Sequence, residues 1–132
     1  MPVDDGSVPS PVGVLIVVDD PPLLRLLELV LQKDGLAVHS ATSGVQAVNL
    51  YEQLQKAIDV VLLEVDMHRM DGVQTMVALQ QINPDVRCCC IAGGDAKYTV
   101  EEMQAWGARH VFIKPFINIT ELGDILRDVV TG

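Results

Sequence analysis

The sequence predicts an α/β fold, a doubly wound parallel sheet of five strands with helices on both faces, on three observations. From Val12 onward, short apolar runs rich in β-branched residues alternate with longer stretches of helical periodicity, the pattern of repeated strand–helix–strand units. The first and third runs are apolar almost throughout, as expected of parallel strands covered on both faces. Hydrophobic residues make up 49% of the chain and aromatics only 4%, so the core must be built from Val, Leu, Ile and Met.

Taken in order, the expected strands are Gly13 to Val18, Ala37 to Ala41, Asp59 to Val65, Arg87 to Ala92 and His110 to Ile113. Leu23, Leu27, Val30 and Leu31 recur at helical spacing and mark a first helix, which Gly35 stops. A second helix is expected from about Gly44 to Lys56 and a third from about Gly72 to Ile82, with Val73, Met76 and Val77 inward. The fourth runs from about Val100 to Trp106 and ends at Gly107. Thr99 and Glu102 have the spacing of a capping box before the fourth helix, and Asn118 and Glu121 have it before the fifth. Leu122, Ile125, Leu126 and Val129 give that last helix one apolar stripe. Right-handed crossovers between successive strands then place the functional crevice at the carboxyl ends of the strands.

Residues 1–11 hold three prolines, a glycine and two serines, too little apolar surface to offset the entropy of ordering, and are expected to form a flexible tail. Residues 12–132 are the expected folded unit, since 132 residues suit one core. A formal charge of -9 repels phosphate backbones and anionic headgroups, which argues against direct nucleic-acid or membrane binding. Cys88, Cys89 and Cys90 are adjacent and alternate across a strand, so they are expected to be buried thiols of a reducing compartment. With no signal peptide visible at the start and no apolar run near the roughly 20 residues that span a bilayer, a cytoplasmic location is expected.

The first strand ends in Asp19 and Asp20, the third in Glu64, Val65 and Asp66, and the fifth in Lys114 and Pro115. One crevice should therefore collect four carboxylates and an ammonium group. Crowded carboxylates repel unless a cation joins them, so Asp19, Asp20, Glu64 and Asp66 are candidate ligands for a hard divalent ion such as Mg²⁺. Glu64 reaching Lys114 directly, as a permanent ion pair in place of a metal, is the other arrangement the sequence leaves open.

Val14 to Asp20, Met70-Asp71-Gly72 and Lys114-Pro115-Phe116 stand in the order and at the intervals of response regulator receiver domains, which the chain resembles from about Val12 to Val130. The resemblance implies a flavodoxin-like, CheY-like sheet with strand order 2-1-3-4-5. It also implies an acidic pair at Asp19 and Asp20 that holds Mg²⁺, and a lysine at Lys114 followed by a cis peptide at Pro115. Three positions depart from that family. Glu64 stands where an aspartate accepts phosphate, Ala92 where a Ser or Thr contacts it, and Val111 where a switching aromatic is common. The extra methylene of Glu64 moves its carboxylate by up to about 1.5 Å and spoils the alignment that phosphoryl transfer needs. Ala92 and Val111 also argue against Glu64 acting as a standing imitation of the phosphorylated state.

The resemblance therefore implies a non-enzymatic signalling module of a two-component phosphorelay, degenerate at its acceptor. It would dock a histidine kinase or a downstream effector through the 99–130 face, with a homodimer as a further possibility. The competing function is a working receiver that takes phosphate on Asp66 or Glu64. A nucleotide- or flavin-binding relative fits poorly, because Asp19-Asp20-Pro21-Pro22 opens the first loop where glycine and free amides are needed. His39, His68 and His110 are read as ordinary imidazoles, with His68 nearest the crevice. Gly93-Gly94-Asp95 is read as a mobile loop, and Trp106 as either an exposed contact or a buried anchor.

Overall fold

The computed structural model describes residues 10–116 and 118–132. The expected tail over residues 1–11 lies outside the described residues for 1–9, while Ser10 and Pro11 are exposed and outside regular structure. The elements alternate as β1 (Gly13–Val17), α1 (Pro21–Lys33), β2 (Ala37–Ala41), α2 (Gly44–Leu54), β3 (Val60–Glu64), α3 (Gly72–Ile82), β4 (Cys88–Ala92), α4 (Val100–Ala105), β5 (Ala108–Ile113) and α5 (Leu122–Thr131). A 3₁₀ turn at Gln55–Ala57 extends α2, and another at Ile119–Glu121 leads into α5.

All strand pairs are parallel, in the order β2-β1-β3-β4-β5. The order reverses between β1 and β3, so the crevice opens beyond the carboxyl ends of those two strands. Every residue of β1, β3 and β4 is buried, and alternate side chains feed two cores. Leu15, Val17, Val61, Leu63, Cys88 and Cys90 pack with α2, α3 and α4, chiefly on Tyr51, Met76, Leu79 and Met103. Val14, Ile16, Leu62, Cys89 and Ile91 pack with Leu27 and Leu31 of α1 and Leu122 and Leu126 of α5. Truncating one such leucine to alanine costs about 2–5 kcal/mol, so these layers hold the strand ends in fixed register.

Two glycines answer a backbone need near the site. Gly107 ends α4 at φ 123° and delivers the chain straight into β5, which therefore starts at Ala108, two residues before the expected His110. A Cβ at Gly72 would lie 2.5 Å from the Glu64 carbonyl oxygen and 2.8 Å from the Val65 Cα, so only glycine lets α3 begin against the end of β3.

The capping box expected at Asn118 and Glu121 does not form. The Asn118 side chain makes no cap bond, a 3₁₀ turn intervenes, and Glu121 becomes the residue before α5. The box at Thr99 and Glu102 is complete, with Glu102 N donating to Thr99 Oγ1 at 3.0 Å and Thr99 N donating to Glu102 Oε1 at 2.9 Å.

Candidate functional site

The register explains which side chains meet. Glu64 closes β3 opposite Ile91, and Ala92 closes β4 opposite Ile113, one residue before Lys114. Lys114 N donates to the Ala92 carbonyl at 2.9 Å, which fixes the root of the lysine, and the Lys114–Pro115 bond is cis as expected. From there the ammonium reaches inward, and Lys114 Nζ donates to Glu64 Oε2 at 2.8 Å.

Glu64 is only 3% exposed, while the Lys114 side chain keeps 32% of its surface in solvent. A carboxylate so deeply buried needs a partner, and here that partner is the Lys114 ammonium, carried by the residue that follows β5. Its second oxygen, Oε1, is buried without a hydrogen-bond partner among the described residues. Burial, reinforced by the neighbouring Asp19 carboxylate and opposed by Lys114, holds the Glu64 carboxyl above its ordinary value. Burial works against the Lys114 charge, but the bond to Glu64 and the fields of Asp66 and Asp20 outweigh it and hold the ammonium above its ordinary value.

Of the other acids of the expected cluster, Asp19 stays beside Glu64 while Asp20 and Asp66 face solvent. Asp19 is half-buried, and its Oδ2 accepts from His68 N at 2.9 Å and lies 3.0 Å from His68 Nδ1. Burial pushes the Asp19 carboxyl up, yet the bonds from His68 prevail and leave it below its ordinary value. Asp20 and Asp66 are exposed, and the Asp20 side chain makes no cap bond to α1. Among the described residues no three His, Cys, Asp or Glu side chains come together as a set able to hold a metal ion. Lys114 pairs with one oxygen of Glu64, and the His68 backbone amide and imidazole pair with Asp19.

Ala92 is fully buried and ends β4 with a methyl group, and Val111 is half-buried against the core beneath α4. The three cysteines are buried free thiols, as expected. Burial pushes Cys89 and Cys90 up to about 12 and Cys88 higher still, so none is a thiolate near neutrality. Trp106 is 51% exposed, which decides for the surface contact. His110 packs its ring 4.5 Å from that of Phe112.

One cluster beside the crevice escaped the sequence reading. Asp71 Oδ1 accepts from Gln74 N at 2.8 Å and caps α3, while its Oδ2 accepts from Tyr98 Oη at 2.9 Å and lies 3.3 Å from Lys97 Nζ. The one signal for it is an aromatic residue directly before the Thr99 cap, which by itself names no partner.

The comparisons agree with this architecture. The response regulator receiver domain profile matches residues 14–127. The chain is 31% identical over 105 residues to the chemotaxis protein CheY of Bacillus subtilis, covering 77% of this chain and 85% of that protein. It is 33% identical over 116 residues to the transcriptional regulatory protein PrrA of Mycobacterium tuberculosis, covering 86% of this chain and 47% of PrrA, so it spans about half the length of that relative. A receiver domain structure from Clostridium thermocellum superposes with a TM-score of 0.82 over 91% of this chain and 94% of that one, at 21% identity. A chain of the CheX–CheY–BeF₃–Mg²⁺ complex from Borrelia burgdorferi superposes at 0.81 over 91% and 90%, with 25% identity. With a parallel 2-1-3-4-5 sheet, a lysine before a cis-proline and acids at the ends of β1 and β3, the chain belongs to the response regulator receiver domain family.

Proposed function

We propose that this receiver works by protein docking and without phosphorylation of the usual kind, because the Glu64–Lys114 ion pair occupies the place where a phosphoryl group and its lysine would meet. The 2.8 Å contact to a carboxylate that is 3% exposed carries the reading. A phosphoryl group at Glu64 would have to displace Lys114 from a buried charge, and Ala92 offers no hydroxyl to receive it. Bound Mg²⁺ would neutralise crowded carboxylates, and in this reading its binding is weakened or absent, because Lys114 already pairs with one oxygen of Glu64.

The docking face is the 99–130 segment, where Trp106 and Ile113 are 51% and 46% exposed. Large apolar side chains left in solvent in this segment fit a protein partner, either a histidine kinase, a downstream effector or a second copy of the chain. The module is non-enzymatic and cytoplasmic, and its charge of -9 disfavours nucleic acid and anionic membranes as direct partners.

Incubation with a small phosphodonor and Mg²⁺, followed by intact-mass measurement, tests the acceptor half of this reading. The expected result is an unmodified chain. A second reading, a working receiver that takes phosphate on Asp66 or Glu64, draws on the exposed Asp66 carboxylate and the unpartnered Glu64 Oε1. An acid-labile phosphoryl adduct, lost in Asp66→Asn or Glu64→Gln, would establish that reading in place of the first.

A further inference from the structure

Helix α4 is six residues long, below the length at which a helix holds itself in water, and Met103 is its one fully buried residue. Its position must therefore be set by what anchors its two ends: at the far end Gln80 Nε2 of α3 donates to the Trp106 carbonyl at 2.8 Å, and at the start the loop from β4 supplies the anchor. The chain leaves β4 at Ala92 and turns with Ala96 N donating to the Gly93 carbonyl at 3.1 Å. It next passes Lys97 and Tyr98, and only then reaches the Thr99 cap.

Tyr98 is half-buried, with its ring against the core shared by α2, α3 and α4, and its hydroxyl donates to Asp71 Oδ2 at 2.9 Å. Asp71 is itself immobilised, because its Oδ1 and its backbone N–H form a complete capping box with Gln74 at the start of α3. One carboxylate thus joins the starts of two helices across 27 residues of sequence, with one oxygen for each. The Lys97 ammonium adds charge at 3.3 Å but is 70% exposed, so the neutral phenol carries most of the restraint.

We propose that the Asp71–Tyr98 hydrogen bond is a built-in strap that holds the start of α4 in one position without any signal from the end of β3. Ala92 has no hydroxyl through which an event at Glu64 could pull this loop, and the strap runs to α3 rather than to Glu64, Lys114 or Asp19. The consequence for partner binding rests on the docking reading above. The strap itself does not.

Hydrogen exchange of the full chain tests it. Tyr98→Phe removes only the hydroxyl, and losing one such bond should speed exchange of amides between Lys97 and Met103 about five- to tenfold, as expected for about 1 kcal/mol. Amides of Thr75 to Leu79 in α3 and Val61 to Leu63 in β3 should keep their rates, and Glu64→Gln should leave the Lys97 to Met103 amides unchanged. Unchanged rates in Tyr98→Phe, a rise spread evenly over the sheet, or an equal local rise in Glu64→Gln would each overturn the strap. A second measurement needs no variant. Burial and the bond to Asp71 hold the Tyr98 phenol above its ordinary value, so its ring signals, resolved by NMR from those of Tyr51, should titrate above 10.0, and a midpoint at or below that would also overturn the strap. Neither readout involves a partner, so a failed docking test leaves the strap standing, and a failed strap leaves the docking test open.

Discussion

Two lysine–carboxylate contacts flank the same crevice and differ in nearly every physical respect. At the end of β3, Glu64 and Lys114 meet at 2.8 Å with side-chain exposures of 4% and 32%, and one carboxylate oxygen is left without a partner among the described residues. Beside α3, Asp71 and Lys97 meet at 3.3 Å with exposures of 12% and 70%, and both oxygens of Asp71 are bonded. The first pair is held together by the cost of leaving a charge alone in the core. The second adds little, and a phenol does the anchoring there. Charge type alone therefore does not identify the functional contact, whereas burial and satisfaction of the remaining oxygens do.

That contrast can be broken most sharply at Lys114. Lys114→Met should destabilise the chain by about 2–3 kcal/mol in urea unfolding, somewhat below a fully buried pair because the lysine is partly solvated. Adding Glu64→Met should recover most of that loss, since two packed apolar groups replace a pair. A double variant no more stable than Lys114→Met would mean that the pair is not what balances Glu64.

The pH dependence of stability is expected to carry the signature of the same pair. The folded chain holds the Glu64 carboxyl above its ordinary 4.5, so between that value and its folded pKa the folded state binds more protons than the unfolded one. The Glu64 contribution to stability is therefore present at pH 4.5 and is lost as pH rises through the folded pKa. Lys114 is held above 10.5, so its contribution is full below that value and is lost as pH rises through its own folded pKa. In unfolding free energies compared with the wild type, Glu64→Gln should remove the first fall and shrink the second, which Glu64 largely causes, whereas Lys114→Met should remove the second. Parallel profiles would contradict the assignment.

Smaller effects belong to the second contact. Tyr98→Phe should cost about 1 kcal/mol of unfolding free energy, the worth of one partly buried hydrogen bond. Lys97→Ala should cost less than Tyr98→Phe, and its small effect should be larger at low salt than at high salt. A larger loss in Lys97→Ala than in Tyr98→Phe would reverse the ranking of phenol and ammonium.

Much of the architecture was legible because it rests on local patterns. β1 is apolar throughout and β3 is apolar up to its last residue, Glu64, since both their faces are covered, and the Thr99–Glu102 box and Gly107 delimit α4 as their spacing suggests. Asn118 and Glu121 show the limit of such patterns, because the same spacing also fits a 3₁₀ turn that starts the helix three residues later. The site was half legible. Strand ends gave the membership of the crevice, but the choice between a metal cluster and an ion pair turns on how far the Glu64 side chain reaches. The His68 bonds to Asp19 span 49 residues, and the Tyr98 bond to Asp71 spans 27, with no sequence period to announce either.

In the reading proposed above, the Glu64–Lys114 pair keeps this receiver from being switched at the end of β3. Amide NMR of the chain, titrated with Mg²⁺ and then with beryllofluoride as a phosphoryl analogue, tests it most directly. The expected result is that the analogue induces no shifts at Glu64, Asp66 or the Gly93 to Thr99 segment. Saturable, Mg²⁺-dependent shifts at those residues would contradict it and establish a working switch.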